Sequence, residues 1–193
     1  MVYNLGILIS GNGSNMLKII EASKKKLIKS KVVTVVSNNP RALGIKKASK
    51  KKIDVKIINQ NIYPNTCDFE NSLSKHLLKK NVDLICLAGF MKILSKDFVK
   101  KWKNKIINIH PSLLPAFKGL NTHERAIQEG VKFSGCTVHF VEKKIDSGKI
   151  IDQEMVRVLE SDDVCSLQKK ILMKEHKLYK KALKILETKN EKI

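Results

Sequence analysis

The chain has 193 residues, 42% of them hydrophobic, nine glycines and a formal charge of +20. That length supports one domain with a real core, the apolar content excludes a disordered chain, and no apolar run approaches the roughly 20 residues that span a membrane. The charge alone would suit a nucleic-acid-binding module, but only three of the 38 basic residues are arginine, lysines run along the whole chain, and aromatics are 5%.

Nucleic-acid sites favour arginine and interleaved aromatics. The lysines are therefore read as solvated faces of a compositionally biased chain, and nucleic acid is not an expected partner. Such a charge still draws anionic substrates. Cys67, Cys86, Cys136 and Cys165 lie far apart and form no CxxC pair. This argues against a zinc site or a disulfide framework, so no metal is expected, and it fits a reducing cytoplasm. Met1-Val2-Tyr3-Asn4-Leu5 leads straight into a strand without a basic leader, so no signal peptide is expected.

Leu5-Gly6-Ile7-Leu8-Ile9 reads as a first buried strand. Ser10-Gly11-Asn12-Gly13-Ser14-Asn15 follows, then Met16 to Ile20 at helical spacing. A strand, a glycine loop and a helix start can hold a phosphate, because the first N–H groups of a helix are unpaired and its dipole favours an anion. The loop is neither a P-loop nor a dinucleotide fingerprint, since no Gly-Lys-Ser/Thr follows and the third glycine is missing. By itself it suits a phosphate cradle or an ordinary tight turn.

Val32 to Val36 is a second strand, residues 40–52 a surface helix, Ile53 to Ile58 a third strand and residues 59–66 a loop. Residues 67–80 place Phe69, Leu73 and Leu77 at helix spacing, with His76 at the edge of that face. Val82 to Ala88 is a nearly all-apolar, central fourth strand. Gly89-Phe90-Met91-Lys92-Ile93-Leu94 sits at its C-terminus, where apolar groups either line a pocket for a flat heterocycle or pack into the core. Ser95 caps a short helix through Trp102.

A fifth strand carries Asn108 and His110 on one face, and Pro111 ends it. An amide and an imidazole are thus aimed together at a strand end, where open α/β sheets bind ligands. His110 can move a proton near neutral pH, and Asn108 can donate to an oxyanion. An isolated pair of this kind also suits a capped strand end with a structural histidine. Residues 111–119 form a loop, and Asn121 caps a helix over residues 122–129, closed by Gly130. Residues 135–141 and 150–158 are two strands joined by a short loop, hence antiparallel. Asp146-Ser147-Gly148 in that loop places a carboxylate within reach of His110. Ser161-Asp162-Asp163 starts a final helix that holds Glu175 and frays toward Ile193. Strands alternating with helices imply an α/β fold: a doubly wound, mostly parallel twisted sheet with an antiparallel C-terminal strand pair.

These pieces, taken in order, resemble the phosphoribosylglycinamide formyltransferases, the folate-dependent transformylases of purine synthesis. The resemblance runs over nearly the whole chain. It rests on Ile9 to Asn15, Leu87-Ala88-Gly89-Phe90-Met91, Asn108-Ile109-His110-Pro111-Ser112-Leu113-Leu114-Pro115, Gly135 to Val141, Asp146-Ser147-Gly148 and Glu175-His176. It implies a Rossmann-like formyltransferase domain over residues 1–193. Residues 1–88 would form the phosphate and ribonucleotide half, 89–160 the folate-binding and catalytic half, and 161–193 a C-terminal helix. Gly11, Asn12, Gly13, Ser14, Asn15 and Glu175 would bind glycinamide ribonucleotide. Met91, Lys92, Ile93, Leu94 and Asn108 would bind 10-formyltetrahydrofolate as co-substrate. Leu87, Phe90, Val99 and Val141, with the backbone up to Asp146, would enclose its pterin.

The resemblance also implies the chemistry. Asn108 and a protonated His110 would stabilise a tetrahedral adduct while Asp146 orients the imidazole. His123 and His139 would support the packing of the site. Two features depart from the family pattern. Thr66 stands where a basic residue is common early in the third helix, and the C-terminal tail is short. The expected assembly is a monomer or weak homodimer. The nearest alternative enzyme is a formyltetrahydrofolate deformylase, although that reaction has no need of a phosphate loop. Methionyl-tRNA formyltransferases normally carry a further tRNA domain for which this length leaves no room.

Overall fold

Leu5, Ile7 and Ile9 turn to one side of the first strand and Leu8 to the other, and this alternation divides the core in two. The computed structural model describes residues 2–189. β1 (Asn4–Ile9), β2 (Lys31–Ser37), β3 (Val55–Ile57), β4 (Leu84–Leu87), β5 (Ile106–His110), β6 (Phe133–Phe140) and β7 (Ile150–Arg157) form one sheet in the order β3-β2-β1-β4-β5-β6-β7. On one face α1 (Ser14–Lys24) and α6 (Val164–Lys189) bring Met16, Ile19, Leu167, Ile171 and Leu178 onto Leu5, Ile7 and Ile9. On the other, α3 (Thr66–Lys79) and α4 (Lys96–Lys101) bring Phe69, Leu73, Leu77 and Phe98 onto Leu8, Ile85 and Leu87.

β4 is the middle strand, as its unbroken apolar run implies. β1 to β5 pair in parallel. β6 is antiparallel to β5 as well as to β7, so the reversal begins one strand earlier than the short connecting loop reveals. The chain leaving β5 stays at the same end of the sheet through α5 (Thr122–Gln128), and antiparallel neighbours need no crossover. This reversal sets His139 directly opposite Asn108.

Several boundaries differ from the sequence reading for local reasons. α2 spans Leu43–Lys50, because the Asn39 side chain accepts the Arg41 N–H at 2.9 Å and holds residues 39–42 in a turn. Only Val55–Ile57 joins the sheet as the third strand. The segment read as a loop after it contains a 3-10 turn at Gln60–Ile62, capped by Asn59. Asn121 precedes α5 in a left-handed conformation, φ +55°, and makes no capping bond. Asp163 precedes α6 and caps it reciprocally with Ser166, through Ser166 N–H to Asp163 Oδ1 at 2.7 Å and Asp163 N–H to Ser166 Oγ at 3.0 Å. The expected fraying toward Ile193 lies outside the described residues. Among the described residues, no helix is long and apolar enough to cross a membrane.

Candidate active site

β1, β4 and β5 are neighbours in the sheet, so the segments leaving their C-terminal ends are brought side by side. The glycine loop, residues 89–94 and the Asn108–His110 strand end therefore meet. Asn15 at the end of that loop, residues 89–93 and residues 108–110 border a cleft of about 600 Å³ that also takes in Asp146 and, from α6, Gln168, Leu172 and Glu175. The α6 residues recur at helix spacing and so share one face. Tyr179, one turn beyond Glu175, donates its hydroxyl to the Leu87 carbonyl at 3.0 Å and fixes α6 beneath the end of β4.

His110 is 5% exposed, and each ring nitrogen faces an acceptor. Nε2 lies 2.9 Å from the Phe117 carbonyl and Nδ1 lies 3.4 Å from Asp146 Oδ2. An N–H on either nitrogen thus has an oxygen to face. Asp146 Oδ2 also accepts the Gly119 N–H at 2.9 Å. Phe117 and Asp146 both adopt left-handed backbone, at φ +50° and +46°. Such conformations cost of order 1–3 kcal/mol each and persist where surrounding structure enforces them. Here they turn a carbonyl and a carboxylate onto one imidazole.

Asn108 is oriented from across the β5–β6 ladder. His139 Nδ1 lies 2.8 Å from the Phe140 carbonyl, which places its proton there. Nε2 is then free to accept from Asn108 Nδ2 at 3.4 Å. Burial pushes the His139 pKa below the ordinary histidine value, against the Phe140 and Asp146 oxygens, and so keeps the ring neutral. One Asn108 N–H is thereby engaged and the other is left for the cleft.

From the loop after β1, Asn15 Nδ2 donates to Glu175 Oε2 on α6 at 2.7 Å. Both residues are buried, and burial raises the Glu175 carboxyl to about 7 despite the Asn15 bond. Asn15 Oδ1 has no partner among the described residues. His123 also lines the cleft, and burial, then the neighbouring His110, lowers its pKa.

Met91 and Ile93 are 74% and 71% exposed, and with Phe90, Leu120 and Ile145 they give the cleft an apolar side. The segment is tied down at both ends. Met91 N–H donates to Ser10 Oγ at 2.8 Å, and that hydroxyl donates to Asn38 Oδ1 at 2.7 Å. Ser95 N–H donates to Glu70 Oε1 at 2.7 Å, and the Ser95 hydroxyl bonds to the other Glu70 oxygen. Lys92 Nζ lies 3.4 Å from Thr66 Oγ1 and 5.3 Å from the centre of the Phe69 ring. It thus brings a cation to the position whose missing basic residue the sequence flagged.

Of the residues singled out from sequence, the cleft brings together Asn15, Phe90, Met91, Lys92, Ile93, Asn108, His110, Asp146 and Glu175. Gly11, Asn12, Gly13 and Ser14 form the loop beside Asn15. Leu87, Leu94 and Val99 lie in the core behind the apolar side, with Val141 packed against them. The carbonyl of Phe117 and the N–H of Gly119 escaped the sequence reading, since main-chain groups leave no residue signature. A second cleft of about 650 Å³, lined by Tyr3, Lys103, Lys105 and Lys149 among others, gathers none of these residues. Size alone therefore does not mark the site.

The sequence profile of the formyl transferase family matches residues 3–183. The phosphoribosylglycinamide formyltransferase of Haemophilus influenzae is 36% identical over 180 residues, covering 93% of this chain and 85% of that protein. The trifunctional purine biosynthetic protein adenosine-3 of Homo sapiens is 42% identical over 182 residues, covering 94% of this chain; the chain spans 18% of that longer protein. The solved structure of glycinamide ribonucleotide transformylase 1 from Symbiobacterium toebii superposes with a TM-score of 0.92 at 39% identity, over 95% of this chain and 86% of that one.

Proposed function

The chain belongs to the formyl transferase family, and we propose that it transfers the formyl group of 10-formyltetrahydrofolate to the amine of glycinamide ribonucleotide in purine biosynthesis. The observation that carries this reading is the meeting of Asn108, His110 and Asp146 in one cleft with the apolar side chains of Met91 and Ile93 and the polar pair Asn15 and Glu175. The apolar side suits a flat pterin, and Lys92 suits a carboxylate tail. The glycine loop, with the open N-terminus of α1, suits a phosphate. The relatives named above are transferases, which disfavours the deformylase alternative.

The substrate amine attacks the formyl carbon and its π electrons move onto oxygen, giving a tetrahedral adduct. Asn108 offers the N–H that His139 leaves unengaged. His110 turns an N–H to the oxyanion, exchanging the Phe117 carbonyl for it, while Asp146 holds the other nitrogen. The attacking nitrogen then loses its proton through the imidazole or an adjacent water. The folate nitrogen gains one as its bond to carbon breaks, so the formyl group has changed partner and no net proton is lost.

In this reading residues 1–88 serve the phosphate end, 89–160 the folate and the chemistry, and 161–193 add Glu175, all within one domain. Its four cysteines are free, which supports a reducing cytoplasm. The test is a formyl-transfer assay with and without glycinamide ribonucleotide. Ribonucleotide-dependent release of tetrahydrofolate with formylglycinamide ribonucleotide as product is expected. Formyl-folate hydrolysis that ignores the ribonucleotide would overturn the proposal.

A further inference from the structure

α2 rests directly on the glycine loop. The Gly44 N–H donates to the Gly11 carbonyl at 3.0 Å. A Cβ on Gly44 would stand 2.5 Å from Ile9 Cδ1 and 3.2 Å from that same carbonyl oxygen, so a larger residue there would push on Ile9 and on the loop. The contact carries Lys47, one turn further along α2, over Asn12. Lys47 Nζ donates to the Asn12 carbonyl at 3.0 Å and to the Asn12 side-chain oxygen. Among the described residues no carboxylate pairs with this lysine.

The Asn12–Gly13 peptide is trans, and a planar trans peptide points its C=O and N–H in opposite directions. Holding the Asn12 carbonyl toward Lys47 therefore turns the Gly13 N–H to the far side of the loop. The first N–H groups of α1 point back along the helix axis toward the same loop. No side chain caps them, and the helix's first internal bond is Leu17 N–H to the Gly13 carbonyl at 3.0 Å. Beside them Asn15, 7% exposed, keeps an unpartnered Oδ1, a separate sign that a ligand completes this corner.

We propose that Lys47 is a positioning residue for the substrate's phosphate: it locks the Asn12–Gly13 peptide with its N–H facing the anion and adds positive charge behind that peptide. This rests on reading the loop as the phosphate cradle. Lys47 touches loop oxygens only, so its effect falls on ground-state binding of the phosphorylated substrate and not on the formyl chemistry.

Steady-state kinetics on the full chain test it, comparing Lys47→Met and Lys47→Arg with the parent on glycinamide ribonucleotide and on its phosphate-free ribonucleoside. For Lys47→Met, KM for the ribonucleotide should rise at least 10-fold while kcat falls far less, and the penalty should vanish on the ribonucleoside. Lys47→Arg should recover most of the loss. An equal penalty on both substrates, or no change in KM, overturns the proposal. Calorimetric titration with ribose 5-phosphate separates this idea from the activity itself. Weaker binding by Lys47→Met supports the role even in a chain that formylates nothing, and identical isotherms refute it.

Discussion

Asn15 and Glu175 are 160 residues apart in sequence, yet a single hydrogen bond of 2.7 Å joins them in the lining of the cleft. It ties the loop after β1 to the middle of α6. Because the carboxyl is buried, folding changes its acidity from the ordinary 4.5 to about 7.

That change fixes a sign. The folded chain holds the Glu175 proton through a pH range in which the unfolded chain has lost it. The stabilisation is therefore complete below about 4.5 and disappears as pH rises to about 7. The total is about 3 kcal/mol, at 1.36 kcal/mol per pKa unit. Glu175→Gln should flatten this slope relative to the parent in urea unfolding curves taken from pH 4 to 8. Parallel curves for the two proteins would show that the carboxyl titrates normally.

The oxyanion donors proposed above should act on turnover. Asn108→Ala and His110→Ala should each lower kcat roughly 100-fold or more, with smaller changes in KM. Asp146→Asn should also lower kcat, because an amide in place of the carboxylate no longer supports the charged ring. Near-normal kcat in any of the three would remove that residue from the proposed chemistry.

Ser10 belongs to the glycine loop, but its hydroxyl holds the Met91 N–H. Loss of one such bond costs about 1 kcal/mol, which corresponds to roughly a 5-fold change in an equilibrium constant. Ser10→Ala should weaken binding of a folate analogue by about that factor, measured by fluorescence titration, while ribose 5-phosphate binding changes less. The reverse pattern would mean that the hydroxyl serves the loop alone.

Lys92 stands beside Thr66 and over the Phe69 ring. Lys92→Met should reduce affinity for a glutamate-bearing folate roughly 3- to 10-fold at low salt, with little change for a pteroyl compound lacking the glutamate, since salt screens such a half-exposed contact. Thr66→Arg should strengthen binding of the same carboxylates. Equal effects on both ligands would assign Lys92 to packing instead.

The sheet was legible because each buried strand announces itself as a short apolar run, and the strand-loop-helix order leaves few ways to wind it. Asn108 and His110 were legible as a pair because side chains two apart share a face of a strand. Their partners were harder to see. His139 meets Asn108 only through the register of an antiparallel pair whose direction no local pattern declares. Gly44 reads as an ordinary residue of a surface helix until the loop beneath it is seen. Asn121 reads as a cap by residue type, but its left-handed backbone turns the side chain from that task.

The imidazole at 110 and the carboxylate at 146 are each secured by main-chain atoms, the carbonyl at 117 and the amide at 119. An alanine scan reads neither atom directly: at 117 it removes only the ring, and at 119 it adds a Cβ to a backbone held at φ +81°, a strain unrelated to the N–H itself. The contribution of these main-chain atoms is read directly by experiments that alter the segment's length, its backbone dihedrals or the amide bonds themselves.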